Sequence, residues 1–122
     1  MSIPYEREEG SVVAKFVTIG YGDQDGYDRT DAALRDEAHA HDARLLEAGA
    51  VLGIAGSPVQ VRNHDGAGMT VERGSFMSSA LPVAGFGIIE AATIAEAVQL
   101  VSNTPCAVAQ GVVEVWPLQE LP

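Results

Sequence analysis

Three residues close together in the chain have side chains suited to proton transfer: His39, His41 and Asp42. A histidine beside a carboxylate is a common general base, because imidazole titrates near neutral pH and the carboxylate can orient its ring. His41 falls on the apolar face of a predicted helix, which places it towards a pocket, whereas His39 and Asp42 are neighbours at i, i+3. The sequence therefore predicts these three as catalytic candidates and leaves open which histidine is the base.

The same residues have a structural interpretation, in which His41 is hydrogen-bonded between the helix and the sheet and His39 is solvated. The third histidine, His64, lies in the turn HDGAG, where such residues occur for backbone reasons. The three histidines lack the spacing of a metal-ligand motif, so no metal is predicted. The loop GYGDQDGYD is acidic and matches no phosphate-binding fingerprint, so no cofactor is predicted either.

Composition limits the partners. The chain has 122 residues, the length of one domain, and its seven basic and seventeen acidic residues give a net charge of −10. Such a charge repels phosphate backbones, so we expect no nucleic-acid binding. No apolar run approaches a membrane span of about 20 residues, and the N-terminus lacks the apolar core of a signal peptide. The single Cys106 fits a reducing compartment, so we expect a cytoplasmic protein.

Hydrophobic periodicity and turn residues predict two helices and a sheet. Thr30 or Asp28 is expected to cap the first helix and Gly49 to end it, while Thr93 and Glu96 form a capping box for the second. Pro117 is expected to stop the last strand. The predicted elements are strands 11–20, 51–55, 83–90 and 110–116, a helix over 31–48, a second helix opening at 94, and a hairpin of 59–63 and 69–72; residues 21–30 are expected to be a loop.

The order β-α-β-(hairpin)-β-α-β predicts an α+β fold with an extra hairpin. Residues 11–118 form the single domain, between a loose N-terminal arm (1–10) and a C-terminal tail (119–122). Inside the strand VAGFGII, Gly85 and Gly87 point to the same face and mark close approach of backbone, partner or ligand. The strand thus forms part of a predicted pocket rim.

That strand is apolar on both faces, which is typical of a sheet buried on both sides. Two helices cover only one face of a sheet, so something else must cover the other. The economical solution is a second copy, packed sheet to sheet, which makes a homodimer with an enclosed cavity. The chain is therefore predicted to dimerise into an α+β barrel.

The run VERGSFMSSALPVAGFGIIEA and the closing VVEVWPL resemble the YCII-related proteins of the DGPF type. The matching parts are Gly74, Phe76, the strand around 85–90 and the closing strand around 113–115. The resemblance implies a ferredoxin-like fold that dimerises into an α+β barrel. Some relatives are similar to dehydrochlorinases that use a His–Asp pair, which implies proton-transfer chemistry for the histidines.

The chain also departs from that family pattern. Arg73 stands where the family turn begins with Asp, Ser75 stands for the Pro, and Trp116 replaces the Arg of the closing strand. These changes imply a more apolar pocket. The substrate-binding candidates are the residues expected at its rim: Arg73, Phe76, Gly85, Phe86 and Trp116.

Three functional interpretations remain open at the level of sequence. The first is a lyase-type or isomerase-type enzyme that performs elimination, isomerisation or cyclisation on a small apolar substrate. The second is a non-catalytic module that binds a ligand in the same cavity. The third is a regulatory or interaction protein whose dimer surface engages a partner. A small-molecule pocket protein, enzymatic or binding, is the preferred prediction.

Overall fold

The structure is a computed structural model that describes residues 5–6 and 12–122. Its strands are β1 (Tyr5–Glu6), β2 (Val12–Tyr21), β3 (Val51–Ile54), β4 (Val59–Arg62), β5 (Thr70–Arg73), β6 (Val83–Ala91) and β7 (Val112–Leu118). Its helices are α1 (Gln24–Arg29), α2 (Ala32–Glu47), α3 (Ile94–Val101) and α4 (Pro105–Val108), with a short 3₁₀ helix at His64–Gly66. Within the described residues, none of the helices has both the length and the apolar character needed to cross a membrane.

The main sheet has the strand order β7-β2-β6-β3, and all of its neighbours are antiparallel. The short β1 pairs with the beginning of β2. Strands β4 and β5 pair only with each other and form a separate two-stranded sheet. This arrangement confirms the predicted α+β, ferredoxin-like fold with an extra hairpin.

The helices cover one face of the main sheet, which we call the helix side. Along β2 the residues that point to this side are buried, and Phe16 at its centre is 1% exposed. Phe16 pairs with Ile89 of β6, and both pack against Ala97 and Val101 of α3. Burial alternates along β2 because successive side chains point to opposite faces of a strand.

The opposite face, which we call the open sheet face, is uncovered among the described residues and apolar at its centre, although Lys15, Glu90 and Glu114 also lie on it. It contains Val17, Ile88 and Trp116 in one row across three strands, because Val17 pairs with both of the others. Phe86 lies in the next row, opposite Ile19, and is 50% exposed. The sheet therefore has one complete face and one apolar face that remains exposed to solvent.

The expected loop over 21–30 is wrong, because α1 forms inside it. The side chain of Asp23 accepts a hydrogen bond from the backbone N–H of Gly26 at 2.8 Å and caps the helix. Gly26 is required there for packing, since a Cβ would lie 2.9 Å from the carbonyl oxygen of Ala109. Gly26, which lies in the segment predicted to be a loop, instead permits the close approach of α1 and the segment after α4.

Several predicted boundaries also change. Asp31, rather than Thr30 or Asp28, caps α2 through its side chain. Gly49 ends this helix as expected, with a φ of 104° that favours glycine. The last strand runs through Pro117 to Leu118 instead of stopping, which a strand at the edge of the sheet tolerates.

The second helix begins as predicted, and Thr93 accepts a hydrogen bond from the backbone N–H of Glu96 at 3.1 Å. Beyond it, Pro105 opens α4, a short helix that the sequence did not predict. The predicted N-terminal arm lies largely outside the described residues, except for β1. The C-terminal tail, 119–122, has no regular structure.

The glycines of β6 lie on the helix side and mark close approach of backbones. A Cβ on Gly85 would lie 2.7 Å from the carbonyl oxygen of Gly53 on β3, a backbone atom that cannot move without shifting the strand. We expect Gly85→Ala to lower the free energy of unfolding by about 1–3 kcal/mol through this overpacking. Urea denaturation measures the change.

Gly53→Ala is the matched control for that substitution, because a Cβ on Gly53 meets no atom within 4 Å. It removes a flexible residue from the same pair of strands without a clash, so its effect on unfolding free energy should be neutral or slightly stabilising. Equal losses in the two variants would contradict the close-packing explanation.

Candidate functional site

A cavity of about 650 Å³ lies on the helix side of the sheet, and we call it the helix-side cavity. Residues of β2, β3 and β6 form its floor, while α1, α2 and α4 supply its walls. Backbone at Gly20, Gly53 and Gly85 lines the floor together with Thr18, Leu52 and Ile54. Its size falls within the range of about 300–1,000 Å³ usual for small-molecule pockets.

His39 lines this cavity and is hydrogen-bonded to Tyr27, whose hydroxyl oxygen lies 2.9 Å from His39 Nε2. Tyr27 belongs to α1, so the correction to the predicted loop supplies this contact. The guanidinium of Arg35 lies 4.7 Å from the centre of the Tyr27 ring. Arg35 and His39 reach the same tyrosine because they are four residues apart on α2.

Asp42 also lines the cavity, close to both His39 and His41. Partial burial raises the pKa of its carboxyl above the ordinary value, and the charges of His39 and His41 act in the opposite direction. No hydrogen bond joins Asp42 to either histidine among the described residues. Its influence on the two rings is therefore electrostatic, and the partner that fixes His39 is Tyr27.

His41 lies elsewhere. Its Nε2 donates a hydrogen bond to the carbonyl oxygen of Leu100 at 2.6 Å, which ties α2 to α3. This carbonyl is one of the last four of α3, and the last four carbonyl groups of a helix have no backbone N–H partner within that helix. The Nε2 proton of His41 is therefore engaged in a hydrogen bond to the Leu100 carbonyl oxygen. His41 does not line the helix-side cavity.

The predicted substrate-binding residues do not form one site. Gly85 lies in the floor of the helix-side cavity, and Phe86 lines both this cavity and a second concavity of about 730 Å³. Phe76 also lines the second concavity, next to the hairpin. Trp116 lies on the open sheet face, and Arg73 is the exposed last residue of β5. The structure thus separates Phe76 and Trp116 from the histidines.

Cys106 completes one wall of the helix-side cavity, packed against Gly20, where a Cβ would lie 2.8 Å from its Sγ. Burial raises the pKa of this thiol, and the negative charge of Asp42 raises it further. The thiol is therefore neutral at physiological pH. It contributes a polarisable, uncharged surface to the wall of the cavity.

The lining of the helix-side cavity contains the carboxylates of Asp23 and Asp42 and the imidazole of His39, without a lysine or arginine. This charge pattern favours a neutral or cationic occupant over an anion. Among residues 12–122 no group of three or more His, Cys, Asp or Glu is placed to hold a metal ion.

Sequence reasoning missed Tyr27, Arg35 and Cys106. A signal for α1 was present: Asp23 as a capping residue, Asp25 in the first turn and Arg29 in the last. The four-residue spacing of Arg35 and His39 was also visible, but the shared tyrosine was not, because it comes from a separate helix.

The family model of the YCII-related domain matches residues 14–122, nearly the whole chain. No curated protein matches the chain.

Because the pKa of Asp42 is raised in the folded protein, its ionisation should lower the stability of the fold in a pH-dependent way. A carboxyl with a raised pKa in the folded state favours folding at low pH, and this contribution is lost as pH rises through that pKa. Asp42→Asn should therefore unfold at higher urea concentration than wild type at pH 7. The two midpoints should converge as pH falls below the ordinary value of 3.8.

Asp36→Asn is the control for that experiment, because Asp36 is exposed on the same helix. The urea midpoint of Asp36→Asn should match the wild-type midpoint at every pH. A stability gain of Asp42→Asn that does not depend on pH would contradict the explanation by desolvation.

The His41 hydrogen bond predicts a stability effect of a different kind. His41→Leu leaves the Leu100 carbonyl without its donor and should lower the free energy of unfolding by about 1–3 kcal/mol. His41→Gln, which keeps an N–H donor, should recover part of this loss in urea denaturation. If His41→Leu were as stable as wild type, the interhelical bond would contribute nothing.

Proposed function

The chain belongs to the YCII-related domain family, and on this premise we propose that it is a small-molecule pocket protein that performs proton-transfer chemistry in the helix-side cavity. The observation that carries the proposal is the Tyr27–His39 hydrogen bond at an apolar cavity that also contains Asp42. A histidine held by a second polar group beside a carboxylate is the usual arrangement of a general base.

In the proposed mechanism, His39 is the base. In the tautomer that this step uses, Nε2 carries the proton and donates a hydrogen bond to the Tyr27 hydroxyl oxygen, which leaves the lone pair of Nδ1 for the substrate. In an elimination, Nδ1 takes a proton from carbon, the C–H electron pair forms the new double bond, and the leaving group departs with its bonding pair. In an isomerisation, the same proton returns to another atom of the substrate.

Asp42 supports this step through its charge. Proton uptake converts His39 to an imidazolium, and the nearby Asp42 carboxylate stabilises that cation because the two groups interact electrostatically. Arg35 acts on the other side of Tyr27, where its guanidinium stacks on the ring and holds it. Arg35 is thus a positioning residue, and His39 is the catalytic one.

The cavity also limits the substrate class. Its floor combines glycine backbone with the apolar residues Leu52 and Ile54, which favours an apolar ligand. Asp23 and Asp42 disfavour an anion. The proposed substrate is therefore a small, apolar molecule that is neutral or cationic.

A non-catalytic ligand-binding protein is the second candidate. The observation that favours it is the absence of a hydrogen bond from Asp42 to His39 among the described residues, together with the exposure of His39. A base that is weakly oriented can bind a ligand without turning it over.

We further propose that the protein acts as a homodimer through the open sheet face. Trp116 on this face is 56% exposed and Phe86 is 50% exposed. Monomeric proteins rarely expose large apolar side chains in one contiguous patch. Glu114 lies among them, and its carboxylate accepts hydrogen bonds from the Tyr21 hydroxyl at 2.7 Å and the Trp116 indole N–H at 3.4 Å. The charge is thus already hydrogen-bonded within its own chain when a second copy covers it.

The catalytic proposal is tested with 5-nitrobenzisoxazole, a neutral planar C–H acid that opens to a coloured cyanophenolate when a base removes its proton. We expect wild type to accelerate this elimination and His39→Gln to lose about 10²-fold or more of the acceleration. His64→Gln, the same substitution in the distant turn, should retain the wild-type rate. An unchanged rate in His39→Gln would exclude His39 as the base.

The binding proposal is tested with three ligands that share an indole ring and differ in charge. Indole and tryptamine should raise the melting temperature more than indole-3-acetate, because the acidic lining disfavours the anion. Asp42→Asn should reduce the difference between the melting-temperature shifts caused by the neutral or cationic ligands and by indole-3-acetate. If indole stabilises both wild type and His39→Gln while neither opens the benzisoxazole, the protein is a binder rather than an enzyme.

A further inference from the structure

In the hairpin β4–β5 the apolar face is exposed to solvent and the polar face is the more buried one. Val59, Val61 and Val71 share one face, because Val61 pairs with Val71 in the register of the hairpin. These three side chains are 58%, 62% and 54% exposed. A sheet with one solvated face normally turns its apolar side to the protein and its polar side to water.

The other face of the hairpin is polar and is the one that is partly covered. Gln60 and Arg62 are half-buried there, and Arg62 donates a hydrogen bond to Gln60 at 2.8 Å. The Arg62 guanidinium lies 5.9 Å from the centre of the Phe76 ring, in the loop that follows β5. The loop after β5 thus shields part of the polar face, at Gln60 and Arg62, while the apolar face is left to solvent.

A hairpin of this size needs a cover. It pairs only with itself, four residues against four. An isolated two-stranded hairpin is marginally stable in water, and it gains stability when an apolar face packs against something else. The described part of the chain supplies no such cover for Val59, Val61 and Val71.

We propose that a second copy of this chain covers the apolar face of the hairpin, so that β4–β5 is the arm of the homodimer. This proposal deepens the homodimer of the proposed function and rests on it. Phe86 makes the two surfaces continuous, since it lies on the open sheet face and also lines the concavity beside the hairpin. One partner surface can therefore cover both the open sheet face and the arm.

Charge explains why the arm suits a second copy. Residues 59–73 contain two basic residues, Arg62 and Arg73, and two acidic ones, Asp65 and Glu72, so the whole excess of ten acidic residues lies outside the hairpin. Two copies of so acidic a chain repel each other. Contact through the neutral arm avoids that repulsion, and Arg73, on the apolar face, offers a cation to the acidic partner.

The test compares Val61→Glu with Thr70→Glu, which place the same charge on opposite faces of the hairpin. Sedimentation equilibrium measures the dissociation constant of the dimer. We expect Val61→Glu to raise it about tenfold or more and Thr70→Glu to change it less than about twofold. If the two variants changed the dissociation constant equally, or if Val61→Glu did not change it, the hairpin would not be a dimer contact through its apolar face.

Trp116→Glu separates the arm from the homodimer itself. If wild type is a dimer that Trp116→Glu dissociates and Val61→Glu does not, the arm is wrong while the open-face dimer stands. If Val61→Glu dissociates the dimer and Trp116→Glu does not, the arm stands without that interface. A wild type that remains monomeric at all concentrations overturns both.

Hydrogen exchange of the wild-type protein keeps the proposal testable if Val61→Glu fails to fold. Amides of residues 59–73 should be protected at concentrations where the dimer forms and should exchange faster on dilution. Exchange in the hairpin that does not depend on protein concentration would contradict its cover by a second copy.

Discussion

Close contacts between backbone and neighbouring atoms at three glycines determine how the sheet and its helices fit together. Gly85 lies against the Gly53 carbonyl, Gly20 lies against the Cys106 thiol, and Gly26 lies against the Ala109 carbonyl. A Cβ at any of these positions would come within 3 Å of its neighbour. The separation of β6 from β3, of β2 from α4, and of α1 from the segment after α4 depends on them. Because the same segments enclose the helix-side cavity, the packing that stabilises the fold also sets the dimensions of the site.

The site carries a cost that the rest of the fold offsets. Asp42 is partly removed from water, which raises its pKa, and no hydrogen bond compensates it among the described residues. His39 is held by a tyrosine instead of by the carboxylate. Groups whose pKa is displaced by burial next to other titratable groups are enriched in functional sites, because acid–base chemistry needs such displacement. His41, by contrast, is engaged by a backbone carbonyl, and its role in the structure is to join two helices.

The two faces of the sheet divide the molecule into a part that is complete within one chain and a part that is not. On the helix side, Phe16 and its neighbours are buried by α3. On the open sheet face and on the hairpin, apolar side chains such as Trp116 and Val61 stay exposed. The proposed homodimer covers both surfaces. It leaves the helix-side cavity, on the opposite face of the sheet, within each chain.

The sequence by itself determined the elements that depend on neighbours along the chain. Runs of β-branched and apolar residues bounded by turn residues predicted the strands, the hairpin and their order, and the three-residue spacing placed His39 beside Asp42. Only the tertiary structure decided which distant groups meet: Tyr27 reaches His39 from a helix twelve residues earlier, and His41 finds a carbonyl 59 residues away. It also separated Phe76 and Trp116, which the sequence placed at one rim. Periodicity is encoded by local backbone geometry, whereas such meetings depend on how closely whole elements pack, and here that distance is set by glycines whose role no local pattern reveals.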